Sequence, residues 1–155
     1  ESAGATTYHY NLNEMIMRGC QSCYHCRTHD GCQLDDDMNI IYEHLNDSSA
    51  IVIGSPIYMF QMTAQTKIFV DRLFATYRPG APKDSRGKLV LIFTQGAEDP
   101  KAFDEYVELT AGMFNFLGYE VIDKLIFASA HEKNSAQRDK DMMAKARELG
   151  KKIAT

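Results

Sequence analysis

Ala50-Ile-Val-Ile-Gly54 is a short, continuous apolar run rich in β-branched residues, the pattern of a parallel strand covered on both faces. Lys88-Leu-Val-Leu-Ile-Phe-Thr94 repeats it. Residues 121–128 give a third strand, more mixed and nearer an edge, and residues 6–12 a weaker fourth. Helical stripes fall between them. Met38, Ile41, Tyr42 and Leu45 sit at i, i+3, i+4 and i+7 behind Asp35, Asp36 and Asp37, whose carboxylates suit a solvated helix start. Val70, Leu73, Phe74 and Tyr77 repeat that spacing in a helix opened by Thr63. Phe103, Tyr106, Val107, Thr110, Met113, Phe114 and Leu117 form a third stripe, closed by Gly118 as a C-terminal cap. A last helix with a solvated outer face is expected over 135–153, on Met142, Ala146, Leu149 and Ile153. This alternation predicts an α/β fold, a parallel sheet with helices on both faces. Residues 78–87, with two Pro and two Gly, read as a surface loop.

The 155 residues make one domain, spanning 1–155 with a cysteine-rich loop at 19–33, and leave little room for two. Hydrophobic residues at 45% and charged residues at 25% argue for a packed core and against disorder. A net charge of -4 without a long basic run argues against nucleic acid as a partner. No apolar run approaches the roughly 20 residues of a bilayer span. Residues 1–11 hold neither the basic start nor the apolar stretch of a signal peptide. The expectation is a cytoplasmic protein with no membrane association.

All four cysteines lie between positions 20 and 32. So tight a cluster cannot staple distant segments, and it points to a local metal or redox site in a reducing compartment. Cys20-x-x-Cys23-x-x-Cys26-x5-Cys32 can wrap an iron–sulfur cube in one short loop, with Gly19 and Gly31 easing the turns. Unligated or oxidised thiols come second. Zinc comes third, because its sites more often use two separated knuckles. His25 and His29 read as solvent-facing loop residues.

Gly54-Ser-Pro-Ile-Tyr-Met-Phe-Gln-Met-Thr-Ala-Gln65 follows a strand and leads into a helix. In a parallel sheet, ligands lie outside the carboxyl ends of the strands. Ser55 and Pro56 make the turn, the backbone of Ile57 and its followers can bond a heterocycle, and Tyr58, Met59 and Phe60 offer surface for stacking. An ordinary strand-to-helix turn fits the spacing equally. Thr94, Gln95 and Gly96 end the next strand, and the fold sets them beside that loop. No G-x-G-x-x-G, P-loop or G-x-S-x-G is present.

From Met38 through Leu73, with Gly54-Ser-Pro-Ile-Tyr58, Ala64-Gln65, Lys67 and Phe69-Val-Asp-Arg-Leu73, the chain resembles the flavodoxin-like NADPH-dependent FMN reductase family. With the cysteine row it is similar to the iron–sulfur flavoprotein branch. The resemblance implies a flavodoxin-like doubly wound sheet and FMN as cofactor, its ring lined by Ser55, Pro56, Ile57, Tyr58, Met59, Phe60, Thr94, Gln95 and Gly96. It implies a [4Fe–4S] cluster on Cys20, Cys23, Cys26 and Cys32, exchanging electrons with the flavin. NAD(P)H or a ferredoxin-like protein would donate electrons to small acceptors, in a homodimer or homotetramer. No side chain is assigned as catalytic. Two other readings stand beside this one: a cluster-free NAD(P)H-dependent FMN or quinone reductase, and a non-catalytic flavodoxin-like module. One departure is clear. The family's first strand and its phosphate-gripping loop have no counterpart: residues 1–4 resemble the end of the first helix, and 6–12 the second strand. The expectation is an N-terminally incomplete chain, the alternatives being a rearranged sheet or a strand lent by another chain.

Overall fold

The computed structural model describes residues 3–80, 82 and 85–154; residues 1, 2, 81, 83 and 84, which belong to the expected helix end and surface loop, lie outside the described set. A mixed sheet forms the centre, in the order β2-β1-β3-β4. β1 (Ala50–Tyr58), β3 (Lys88–Thr94) and β4 (Glu120–Phe127) run parallel, while β2 (Gln61–Met62) returns antiparallel on β1 as a short hairpin. The three strands expected from residue 50 onward are therefore present. β3 is the middle of the parallel set, and Leu89, Val90, Leu91 and Phe93 are all buried, as a strand covered on both faces requires. Between Leu89 and Val90 the β3–β4 register slips.

Helices α2 (Met38–Asp47), α3 (Ala64–Arg72), α4 (Asp104–Phe116) and α6 (Lys140–Ile153) cover the sheet, with two single-turn helices, α1 (His25–Thr28) and α5 (Ser135–Arg138). Thr63 caps α3 as expected, its side chain accepting from the Thr66 N–H. Beyond Arg72 that helix tightens into a 3-10 turn at Leu73–Ala75, a common way for a helix to end. Gly118 adopts φ +93 past α4, the left-handed cap its position called for. Gly87, at φ +88, passes so close to Ser49 that a Cβ would stand 2.3 Å from the Ser49 carbonyl oxygen; only glycine fits.

Three expectations need correction. The last helix is two pieces, since Asp139 leaves helical geometry and its carboxylate caps α6 through the Asp141 and Met142 N–H groups. Residues 6–12 form no strand. They lie against α2, where the Tyr8 ring stacks on His44 at 3.6 Å and the Tyr10 hydroxyl bonds to His44 Nδ1. Third, β1 is not covered on both sides. Apart from β2 at its far end, no strand among the described residues pairs with its outer edge, and Val52 is 50% exposed.

Candidate functional site

The cysteine loop leaves the fold at Arg18 and rejoins it at Asp36. Its ends are zipped together: the Ile16 N–H donates to the Asp37 carboxylate at 2.6 Å, the Asp37 N–H to the Ile16 carbonyl, and the Arg18 N–H to Asp36 Oδ2 at 3.0 Å. Beneath this base lies Arg72, 1% exposed, in a two-pronged ion pair with the Asp36 carboxylate at 2.7 and 3.0 Å. Its Nη1 also donates to the Arg18 carbonyl at 2.8 Å, and its Nε to the Tyr42 hydroxyl, which donates in turn to the Arg72 carbonyl. Burial pushes Asp36 toward a higher pKa, but hydrogen bonds from Arg72, Arg18 and Met38, with the guanidinium charge, hold its carboxyl below the ordinary value. Burial pushes the Tyr42 phenol up to about 12, with Arg72 opposing and Cys32 adding to the rise.

Farther round, Arg27 donates to the carbonyls of Phe74 and Tyr77 and lays its guanidinium 3.7 Å from the Phe74 ring centre. Tyr24 meets the same ring edge-on. The loop is thus shaped by polar fastenings, with Ser22 and Tyr24 both at positive φ. The three aspartates are not a solvated run, as the sequence suggested. Asp36 turns inward to meet Arg72, because the chain must close a loop there.

Cys20, Cys23, Cys26 and Cys32 are free thiols, the first two exposed. All four line one hollow of about 20 Å3, together with Arg72, Phe74 and Ala75. Among the described residues no three Cys, His, Asp or Glu stand close enough to share one ion. A zinc ion held at about 2.3 Å by four sulfurs would require just that convergence. Four thiols around one hollow without convergence suit a cluster better, since each thiolate there binds a different iron. His25 and His29 stack on each other, outside the hollow's lining.

The second cluster of expected residues lies at the carboxyl edge of the sheet. Register pairs Ser55 with Phe93 and Pro56 with Thr94, so the two loops are neighbours. Within them the side chains divide. Ser55 is buried, its Oγ accepting from the Thr63 N–H and donating to the Pro56 carbonyl. Ile57 is core. Gln95 is buried, its Nε2 donating to the Asp99 carbonyl while Oε1 has no partner. Ser55 and Ile57 can offer a ligand little but backbone, whereas Gln95 keeps an unpartnered side-chain acceptor. Tyr58, Met59 and Phe60 stand at the hairpin tip, each more than 60% exposed; Met59 and Phe60 have φ of 47° and 70°, a tight turn normally built from Asn-Gly.

Sequence reasoning missed His131. Ser129, at φ 54, turns the chain after β4. The N–H groups of Ser129 and Ala130 bond the carbonyls of Ala97 and Gln95, and the imidazole settles over Gly96. A larger cavity of about 200 Å3, lined by Thr76, Tyr77, Arg86 and Phe116 among others, shares no residue with either cluster.

A family model described as NADPH-dependent FMN reductase matches residues 1–134. An iron–sulfur flavoprotein of Archaeoglobus fulgidus is 35% identical over 72 residues, covering 46% of this chain and 37% of that one. One from Methanocaldococcus jannaschii is 29% identical over 96 residues, covering 61% and 48%. The chain therefore spans less than half the length of these relatives. In structure it is similar to an NAD(P)H:quinone oxidoreductase from Methanothermobacter marburgensis, with a TM-score of 0.67 at 16% identity, over 90% of this chain and 75% of that one. That likeness establishes the flavodoxin-like fold.

Proposed function

The chain belongs to the NADPH-dependent FMN reductase family, and from that premise we propose that it is an FMN-dependent oxidoreductase whose cysteine loop carries a [4Fe–4S] cluster. The observation that carries this reading is the register of β1 on β3, which makes neighbours of the two loops at the sheet's carboxyl edge, where ligands of such sheets bind. Ser55, Pro56 and Ile57 would approach the isoalloxazine through backbone, Tyr58, Met59 and Phe60 through exposed apolar faces, and Thr94, Gln95 and Gly96 along the other side. When bound, FMN supplies hydride and single-electron transfer. The chain's part is to orient the ring, to exclude water with the hairpin's aromatic tip, and to keep His131 at the mouth beside Gly96. Cys20, Cys23, Cys26 and Cys32 would hold the cluster as four thiolates.

The partners follow from that chemistry: NAD(P)H or a ferredoxin-like protein as donor, a small molecule as acceptor, and a second copy of the chain against the exposed hairpin in a homodimer or homotetramer. Among the described residues no helix is long and apolar enough to cross a membrane, and four free thiols suit the reducing cytoplasm. A cluster-free reductase is the second reading, favoured because among the described residues no three metal-ligating side chains converge. Anaerobic purification, an absorbance spectrum, iron and sulfide assays and an FMN fluorescence titration test the first. Quenched FMN and equal iron and sulfide are expected. A colourless protein that leaves FMN fluorescence unchanged overturns the proposal. Unchanged NADPH oxidation in Cys20→Ser selects the cluster-free form.

A further inference from the structure

Arg72, from outside the cysteine loop, bonds both ends of its base and lines its hollow. Its bonds to Asp36, the Arg18 carbonyl and the Tyr42 hydroxyl use four of the guanidinium's five N–H groups. The residue is fully buried yet lines the same hollow as the four cysteines. Asp36 is absent from that lining, whereas the Arg72 guanidinium interacts electrostatically with Cys32, so the positive member of the pair is the one nearer the thiols. Arg27 faces elsewhere, over the Phe74 ring.

We infer that Arg72 is a positioning residue for the redox group of the cysteine loop: it closes the loop's base and raises that group's reduction potential. The inference rests on the reading that the cysteines hold an iron–sulfur cluster. One-electron reduction adds a negative charge to such a cluster, with no bond made or broken and the electron drawn from a chemical reductant such as dithionite. A fixed cation at the wall favours the reduced form, and so does an N–H aimed at sulfur. Tyr42 shares the task by holding Nε in place.

The test is a mediated redox titration of the reconstituted full chain, followed by EPR. Arg72→Met combined with Asp36→Leu removes both charges and avoids an orphaned carboxylate. At a fixed applied potential its ratio of reduced to oxidised cluster should fall at least tenfold, a shift of about 59 mV for a one-electron couple. Arg72→Lys, which keeps the charge, should stay near the wild type. Tyr42→Phe should move the same way as the double variant, by less. An iron-loaded double variant with the wild-type potential overturns the inference. If that variant does not take up iron, an unchanged potential in Tyr42→Phe overturns it instead. Wild-type protein that takes up no iron defeats the reading of the cysteines itself, and the role of Arg72 falls with it.

Discussion

The cysteine loop and the hairpin at the end of β1 each hold two non-glycine residues at positive φ, Ser22 and Tyr24 in one, Met59 and Phe60 in the other. Such backbone costs about 1–3 kcal/mol per residue, and the two regions offset it differently. The cysteine loop is fastened from outside, by a buried ion pair and by carbonyls far along the chain, at positions 74 and 77. The hairpin is fastened only at its root, by Ser55 and by the Tyr106 hydroxyl accepting from the Met62 N–H. Its tip meets little but Phe103. The first region is shaped before anything binds, whereas the second keeps apolar faces available.

The comparison breaks most readily at Arg72. Arg72→Met alone strands a buried carboxylate and should cost about 3–5 kcal/mol in urea unfolding, most of it regained with Asp36→Leu. A loss below about 1 kcal/mol, the scale of an exposed pair, would mean the ion pair is not what closes the loop. The pair also has a pH signature. Asp36 titrates below its ordinary value of about 3.9 when folded, so the unfolded chain takes the proton first as pH falls. Its stabilisation is complete above about pH 3.9 and fades below it; Asp36→Asn should flatten that part of a stability profile measured against pH. At the hairpin root, Ser55→Ala leaves the Thr63 N–H without its acceptor and should cost about 1–3 kcal/mol, seen as a lower urea midpoint. The tip should respond with the opposite sign. Met59→Asn with Phe60→Gly suits the turn and should raise stability by about 1 kcal/mol, while FMN fluorescence titration should show weaker binding. A variant that binds FMN as well as the wild type removes the tip from the site.

Much of this was legible in the sequence. Continuous apolar runs marked β1 and β3, helical spacing marked α2 and α4, and Thr63 and Gly118 behaved as caps. Neighbouring loops at the sheet's carboxyl edge followed from topology. Arg72 lay within a quoted stretch, three residues after Phe69 and so on the same helical face, but charge alone reads as exposure. Its partner Asp36 is distant in sequence and hidden among three aspartates, so nothing local marks the pair. His131 was invisible because the bend depends on a positive φ at Ser129, a conformation serine seldom adopts and no local pattern signals. Residues 6–12 alternate like a strand, yet Tyr8 and Tyr10 find His44 on α2 instead of a neighbouring strand.

The uneven pairing of the sheet has a consequence for how the chain breathes. β3 is bonded along both edges, whereas the outward-facing amides of β1 from Ala50 to Ser55 meet no strand among the described residues. Protection against deuterium uptake should therefore be deepest along β3 and should alternate along β1, slow at amides facing β3 and fast at those facing out.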